Sequence, residues 1–122
     1  MFFTFWGLNI LRKNAKIHTN KDFIGKMFGR MMPRGSLKLG LSKMNMGGLG
    51  TKMMRSVMHN KNISSLEDLM REAIHSGVEI TACSMSMDVM GLKREELIDG
   101  IKVGGVASFL SSAEESDASL FI

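Results

Sequence analysis

The second half of the chain alternates between helical and extended patterns, and this alternation constrains the fold more than any other feature. The run Ser-Ser-Leu-Glu at 64–67 is typical of a capping box, in which the Ser64 hydroxyl accepts the Glu67 amide hydrogen. Apolar residues then recur at helical spacing as far as Gly77, a natural left-handed stop. Residues 78–82 are predicted to form a strand that ends at Cys83. Helices and strands that follow one another over short connections indicate a parallel sheet covered by helices.

The other predicted elements fit the same α/β class. Residues 2–5 are aromatic or β-branched and predict a short strand, with a short helix after it. Further elements are predicted as a helix at 85–90, a helical turn at 93–98, an extended piece at 101–103, a helix at 106–115 and a final strand at 118–122. A chain of 122 residues is long enough for one core, so we expect a single domain over 1–122.

A basic insert, rich in glycine and methionine, occupies about residues 14–62. Asp22 is a candidate cap for a helix that runs through Met32, and Thr51 for a helix that runs to about His59. A connection of this length between strands indicates a lid or a partner-binding element rather than a simple loop. We expect most of the 13 methionines of the chain to fill irregular gaps in the core; the alternative is an adaptable surface for a partner.

Charge and composition limit the partners and the compartment. The net charge is +4, and Lys and Arg concentrate between Arg12 and Lys61, yet no nucleic-acid-binding motif is present. We therefore expect no nucleic-acid partner, and a basic surface that is solvated or meets an anionic substrate or an acidic partner. No apolar run approaches the ~18–20 residues of a membrane span. The first residues do not resemble a signal peptide, and a lone cysteine forms no disulfide framework, so we expect a reducing, cytoplasmic setting.

The single cysteine, Cys83, is predicted to lie where parallel sheets bind their ligands, beyond the carboxyl end of a strand and before a helix. Unpaired backbone N–H groups at a helix start stabilise a thiolate, which is the nucleophilic form. Ser84 and Ser86 add hydroxyl donors that could hold a terminal sulfur or a bound anion. Free cysteines are also commonly buried and inert, and the spacing alone leaves both interpretations open.

A second loop, Gly104-Gly105, precedes the predicted helix at 106–115. Glycines there let backbone amides approach an anion closely, although a simple tight turn explains them as well. Asp88 could orient an amide at the helix start or act as a base; alternatively, it is a first-turn residue that satisfies the helix dipole. We expect no metal site, because there is no second cysteine and the histidines lack ligand spacing.

Three blocks of the sequence carry a family resemblance. They are Phe-Phe-Thr-Phe-Trp-Gly-Leu at 2–8, Ala-Cys-Ser-Met-Ser-Met-Asp-Val-Met-Gly at 82–91, and the stretch from Glu-Leu-Ile-Asp-Gly at 96–100 through Gly-Gly-Val-Ala at 104–107. They resemble the DsrE/DsrF/DsrH-like family, and are closest to its DsrE-type, peroxiredoxin-annotated branch. The resemblance covers nearly the whole chain. The specific block around Cys83 includes Met85, Met87 and Asp88 as possible supporting residues.

This resemblance implies a three-layer α/β/α fold with a mainly parallel sheet. It also implies a small sulfurtransferase or sulfur carrier, without a cofactor, that assembles into a homo-oligomer. The active cysteine of the family matches Cys83. Members of the branch usually have a strand and a helix before the Phe-Phe-Thr-Phe strand, and that unit is absent here. We therefore expect either a truncated product or a partner that supplies the missing sheet edge.

The leading hypothesis is a sulfur carrier or sulfurtransferase. The Cys83 thiolate would accept sulfane sulfur, hold it as a persulfide and pass it to an acceptor thiol, with donor and acceptor being proteins or small thiols. A thiol-dependent peroxidase is an alternative, although the chain has no resolving cysteine. The other alternative is a non-catalytic binding or assembly module with a buried, structural Cys83 and a methionine-rich insert that docks a partner.

Overall fold

A three-stranded parallel sheet forms the centre of the molecule. The computed structural model describes residues 1–14, 23–40 and 45–120. The strands are β1 (Phe2–Phe3), β2 (Thr81–Cys83) and β3 (Lys102–Gly104), in the order β1-β2-β3. In the central strand Ala82 pairs with Phe3 on one side, and Cys83 pairs with Gly104 on the other. The predicted α/β class with a parallel sheet is confirmed.

Each strand runs directly into a helical turn. The α-helices are α1 (Phe23–Met31), α2 (Leu49–Asn60), α3 (Leu66–His75), α4 (Ser84–Val89) and α5 (Val106–Glu114), and short 3-10 turns lie at Phe5–Asn9, Ser36–Lys38, Met46–Gly48 and Arg94–Glu96. The 3-10 turn at Phe5–Asn9 follows β1, α4 follows β2 and α5 follows β3. Because the strands are parallel, these three junctions share one edge of the sheet. Within the described ranges, no helix is both long and apolar enough to pass through a membrane.

The buried core lies around the central strand. All three residues of β2 are buried, and the apolar core is formed by Leu8, Leu11, Met32, Ile80, Ala82, Met87, Met90, Leu92, Leu97 and Ile101. These side chains come mainly from the turn after β1, from α4 and from the segment that leads to β3. By contrast, α2, α3 and α5 contribute no buried residue. The core therefore surrounds the central strand that ends at Cys83.

The helix α3 begins one residue later than predicted. Its N-cap is Ser65, whose hydroxyl accepts the Asp68 amide hydrogen at 3.2 Å. Glu67 does not reach back to the helix start, because its carboxylate accepts hydrogen bonds from Arg55 at 3.2 Å. The capping box predicted from Ser64 to Glu67 is therefore wrong. The shift makes Asp68 the residue whose amide hydrogen the cap accepts, and it leaves Glu67 to bind Arg55 of α2.

Strand boundaries also differ from those predicted. Val78 belongs to the turn that ends α3, because its N–H donates to the carbonyl of Ala73 at 2.9 Å. The central strand consequently begins at Thr81, and Cys83 is its last residue rather than the residue after it. The predicted final strand at 118–122 is absent over 118–120, and 121–122 lie outside the described residues, as does the predicted cap Asp22.

The methionines are mostly not in the core, so that prediction is wrong. Among the described residues the buried methionines are Met32, Met87 and Met90. The exposed ones are Met1, Met27, Met31, Met46, Met53, Met54 and Met85. The small core is filled chiefly by Leu and Ile, whereas most of the exposed methionines lie in the insert, whose helices turn them outward.

A buried ion cluster joins three distant segments of the chain. Arg12 and Glu96 are at most 1% exposed, and their side chains approach to 3.4 Å. Arg34 reaches the same carboxylate at 3.6 Å, and Arg12 also donates to the carbonyl of Pro33 at 3.2 Å. Burial has the largest effect and lowers the pKa of Arg12. The like charge of Arg34 lowers this pKa further, whereas the carboxylate of Glu96 raises it. Arg12, expected at the start of a basic surface, is instead an internal tether for the insert.

The helix α1 packs closely on the end of α4. Gly91, which follows α4, has a φ of +62°, and a Cβ added there would lie 2.6 Å from the Cα of Gly25. Only glycine combines this left-handed backbone with such an approach. The insert is therefore anchored at Gly91 and at Glu96, in addition to the contact of Arg55 with Glu67.

Candidate active site around Cys83

Cys83 lies at the junction between the central strand and α4. It is the last residue of β2 and the N-cap of α4, which begins at Ser84, one residue earlier than predicted. Its neighbour across the sheet is Gly104, at the end of β3. Cys83 is only 6% exposed, so the thiol is nearly enclosed.

Polar groups at the start of α4 lower the pKa of Cys83. Burial raises the pKa of the thiol, but hydrogen bonds from the Ser86 hydroxyl, the Ser86 amide and the Met85 amide outweigh it, and the pKa lies below its ordinary value. Both amides belong to the first turn of α4, where backbone N–H groups have no partner within the helix. Ser86 is buried in the first turn of α4, and its hydroxyl favours the charged form of the Cys83 thiol. The arrangement favours the thiolate.

The Gly104-Gly105 loop lies beside the cysteine loop. A Cβ added at Gly105 would lie 3.8 Å from the Ser84 hydroxyl oxygen. At Gly104 an added Cβ would meet Thr81 at 3.0 Å and Ser108 at 3.1 Å. A larger residue at position 104 would therefore disturb both the central strand and α5. The structure thus brings the two predicted loops together, with Ser84 at their contact.

Ser108 did not figure in the sequence-based interpretation. It lies four residues after Gly104, one turn into α5, and its side chain faces the glycine. A serine one helical turn beyond a Gly-Gly pair is the signal that could have identified it.

The other predicted supporting residues are spread around α4. Met85 is exposed, whereas Met87 is buried in the core. Asp88 is exposed in the last turn of this six-residue helix, so it does not occupy the first-turn position considered for it. Over residues 1–14, 23–40 and 45–120, no group of three or more His, Cys, Asp or Glu side chains is placed to hold a metal ion.

Two exposed aromatic residues follow β1 at the same sheet edge. Phe5 and Trp6 begin the 3-10 turn after β1, and both side chains are largely exposed. Phe5 has a φ of +39°, an unfavourable backbone conformation for a bulky residue. The sequence had placed Phe5 inside the strand. The structure instead sets it at the turn, on the edge of the sheet at which Cys83 ends its strand.

The whole chain is similar to known proteins. The family model described as DsrE/DsrF/DrsH-like matches residues 1–121. An uncharacterized protein of Bacillus subtilis strain 168, YrkE, is 50% identical over 122 residues, which cover 100% of this chain and 76% of that protein. The sulfur carrier protein DsrE2 of Allochromatium vinosum is 36% identical over 126 residues, which cover 100% of this chain and 77% of that protein. The resemblance inferred from the three sequence blocks is confirmed, and the chain belongs to the DsrE/DsrF/DrsH-like family.

Proposed function

We propose that this protein acts in sulfur relay, accepting sulfane sulfur on Cys83 as a persulfide and passing it to an acceptor thiol. The family and the relative named a sulfur carrier support a relay role. The observation that carries the persulfide chemistry is the position of Cys83 at the end of β2 and the N-cap of α4, where donors of Met85 and Ser86 lower its pKa. These donors favour the charged form of the group that must attack.

Loading is a displacement at sulfur. The Cys83 thiolate attacks the outer sulfur of a donor persulfide, R–S–SH. The donor S–S bond breaks, R–S⁻ leaves, and Cys83 becomes Cys–S–SH. One S–S bond forms as another breaks, so the step needs no external oxidant or reductant. Its rate depends on the thiolate fraction and therefore on the lowered pKa of Cys83.

Unloading is the same reaction in the opposite sense. An acceptor thiolate attacks the outer sulfur, the Cys83 S–S bond breaks, and the Cys83 thiolate is released as the leaving group. A thiol of lower pKa leaves faster. The same hydrogen bonds from Met85 and Ser86 thus assist both half-reactions. This is the behaviour required of a carrier, which must be neither too weak a nucleophile nor too poor a leaving group.

The outer sulfur of the loaded form is anionic over much of the neutral pH range and needs its own donors. Ser84, together with the backbone of Gly104 and Gly105, adjoins the cysteine loop and is the candidate for this role. Support for the assignment is the nearness of the two loops: a Cβ added at Gly105 would lie 3.8 Å from the Ser84 hydroxyl oxygen.

A cysteine with only a structural role would be buried in the same way, but its pKa would be raised rather than lowered. Burial on its own raises the pKa of a thiol. In this protein burial raises the pKa of Cys83, but hydrogen bonding by Ser86 and Met85 acts in the opposite direction and lowers it. The direction of the shift, rather than the exposure, supports a chemical role.

Intact-mass spectrometry after incubation with polysulfide tests the proposal. Because Cys83 is the only cysteine, any persulfide adduct reports on this site. We expect a sulfur adduct on the wild type that a reductant removes, and none on Cys83→Ala. A wild type that gains no sulfur, or an equal adduct on Cys83→Ala, would contradict the proposal. Consumption of peroxide with a thiol reductant, without sulfur loading, would favour the peroxidase alternative.

We infer that the donor and acceptor are proteins or small thiols of the reducing cytoplasm. A single free thiol that cycles through a persulfide depends on a compartment in which thiols stay reduced. The homo-oligomer implied by the family resemblance remains a prediction. Light scattering after gel filtration measures it directly.

A further inference from the structure

The outward sides of α1 and α2 carry apolar stripes. In α1 the stripe is Phe23, Met27 and Met31, and in α2 it is Leu49, Met53 and Val57. Residues spaced by four lie on one side of a helix. Each of the six side chains is between 43% and 83% exposed. Neither stripe is used in the core or in the cysteine site.

The opposite sides of these helices are attached to the rest of the protein. Gly25 of α1 lies against Gly91, and Arg55 of α2 donates to Glu67 and to the carbonyl of Ser36. These anchors fix which side of each helix faces outward. The exposed stripes are therefore a consequence of how the insert docks, and not of helices detached from the domain.

Basic residues flank both stripes. Lys26 and Arg30 directly precede Met27 and Met31, and Lys52 directly precedes Met53. All three cations are exposed. From residue 23 to residue 66 the sequence contains eight Lys and Arg and not one Asp or Glu. The acidic residues lie almost entirely after residue 66, so positive charge and exposed apolar side chains concentrate in the same part of the chain.

We propose that α1 and α2 bind the surface of an anionic lipid bilayer. An amphipathic helix with exposed Phe, Leu or Met and flanking Lys and Arg lies in the membrane interface, with its apolar side chains below the headgroups and its cations against anionic lipids. With 9 and 12 residues, these helices are far shorter than the ~20 residues needed to span. They would lie on the bilayer and not cross it.

A bilayer fits these surfaces better than an acidic protein does. A protein partner needs a preformed groove that matches each stripe, whereas lipid adapts to any outward-facing helix side. The long, flexible methionines and the lone Phe23 can reach the acyl boundary, while Lys26 and Arg30 extend back to the headgroups. Binding should therefore depend on lipid charge and on salt, and not on the sulfur state of Cys83.

Vesicle flotation of the full chain tests this proposal. The vesicles are phosphatidylcholine alone or phosphatidylcholine mixed with phosphatidylglycerol. We expect flotation with the anionic vesicles at low salt and little with the neutral ones. Each basic residue near such a surface contributes about fivefold to binding, so loss of two should weaken it by roughly 25-fold or more. Lys26→Glu combined with Arg30→Glu is the test variant.

The matched control reverses two exposed cations in the acidic half, Arg71→Glu with Arg94→Glu. It should bind the anionic vesicles nearly as well as the wild type. Met27→Ser with Met31→Ser tests the apolar contribution without a change of charge and should also weaken flotation. The proposal is overturned if the wild type does not float with anionic vesicles. It is equally overturned by equal binding to neutral vesicles, or by the control weakening flotation as much as the α1 charge variant.

Discussion

Replacing Ser86 by alanine should raise the pKa of Cys83 and slow its reactions near neutral pH. The change removes one hydroxyl donor to the sulfur and leaves the Met85 and Ser86 amides in place. A hydrogen bond to a charged group is worth about 1.5–3 kcal/mol. Because about 1.36 kcal/mol is a factor of ten, a loss of this size lowers the ionisation constant of the thiol by about tenfold or more. At a pH below the pKa of the thiol, the thiolate fraction falls with this constant, and the rate of reaction at Cys83 falls with it.

The rate of alkylation by iodoacetamide, measured against pH, reports this pKa directly. Ser108→Ala is the matched control, because it removes a hydroxyl beside Gly104 that is not among the donors to Cys83. We expect the midpoint of the rate profile to move upward in Ser86→Ala and to stay in place in Ser108→Ala. An unchanged midpoint in Ser86→Ala, with the variant still folded, would refute the assignment of Ser86 as a donor to the thiolate.

The same pKa shift makes folding stability depend on pH. A thiol whose pKa is lower in the folded state contributes stability that is fully present above its unfolded pKa of about 8.5. That contribution is lost as the pH falls through the folded pKa. The wild type should therefore lose stability relative to Cys83→Ala as the pH falls below about 8.5, and Ser86→Ala should show a smaller difference. Urea unfolding at a series of pH values measures this.

Three further predictions concern the scaffold. Glu96→Gln leaves the buried Arg12 without its counter-charge and should lower the free energy of unfolding, measured in urea, by about 3–5 kcal/mol. A loss below about 1 kcal/mol would contradict a buried ion pair. Gly91→Ala should lower the free energy of unfolding more than Gly77→Ala in the same assay. Both glycines have positive φ, but of the two only Gly91 lies against the backbone of another helix. Equal losses of stability would contradict the close packing of α1 on Gly91. Hydrogen bonds outweigh burial and lower the pKa of Glu67 to about 2, so the wild type should lose stability relative to Glu67→Gln as the pH falls from about 4.5 towards 2. Acid titration of both proteins by circular dichroism checks the last prediction, and coincident curves would count against it.

The sequence predicted the neighbourhood of Cys83 because the relevant signals are local. A strand, a cysteine and a helix start follow one another within a few residues, and the Gly-Gly pair repeats that arrangement on the next strand. The exact strand limits could not be predicted, because the stop of α3 holds Val78 through a backbone bond to Ala73. Likewise, Ser64 and Ser65 are equivalent caps in sequence, and only the contact between Glu67 and Arg55 decides between them.

Long-range features escaped prediction for a physical reason. The pairing of Arg12 with Glu96 spans 84 positions, and no local pattern identifies either residue as buried. The methionines were misjudged because methionine suits a core and an adaptable surface equally well, so that its position depends on which side of a helix is docked. Gly25 against Gly91 sets that orientation for α1, and a glycine in a helix gives no sign of its partner.

The near-complete burial of Cys83 has a consequence for how a loaded carrier differs from an empty one. In the proposed persulfide the outer sulfur stands about 2 Å beyond Sγ, one S–S bond length further from the enclosed thiol. An incoming thiolate then meets the outer sulfur before it can reach the inner one. Attack at the outer atom transfers sulfur, whereas attack at Sγ would expel hydrosulfide and leave the partner trapped as a mixed disulfide. The depth of the cysteine would thus favour attack at the outer sulfur, which transfers the cargo, over attack at Sγ, which would lose it as hydrosulfide.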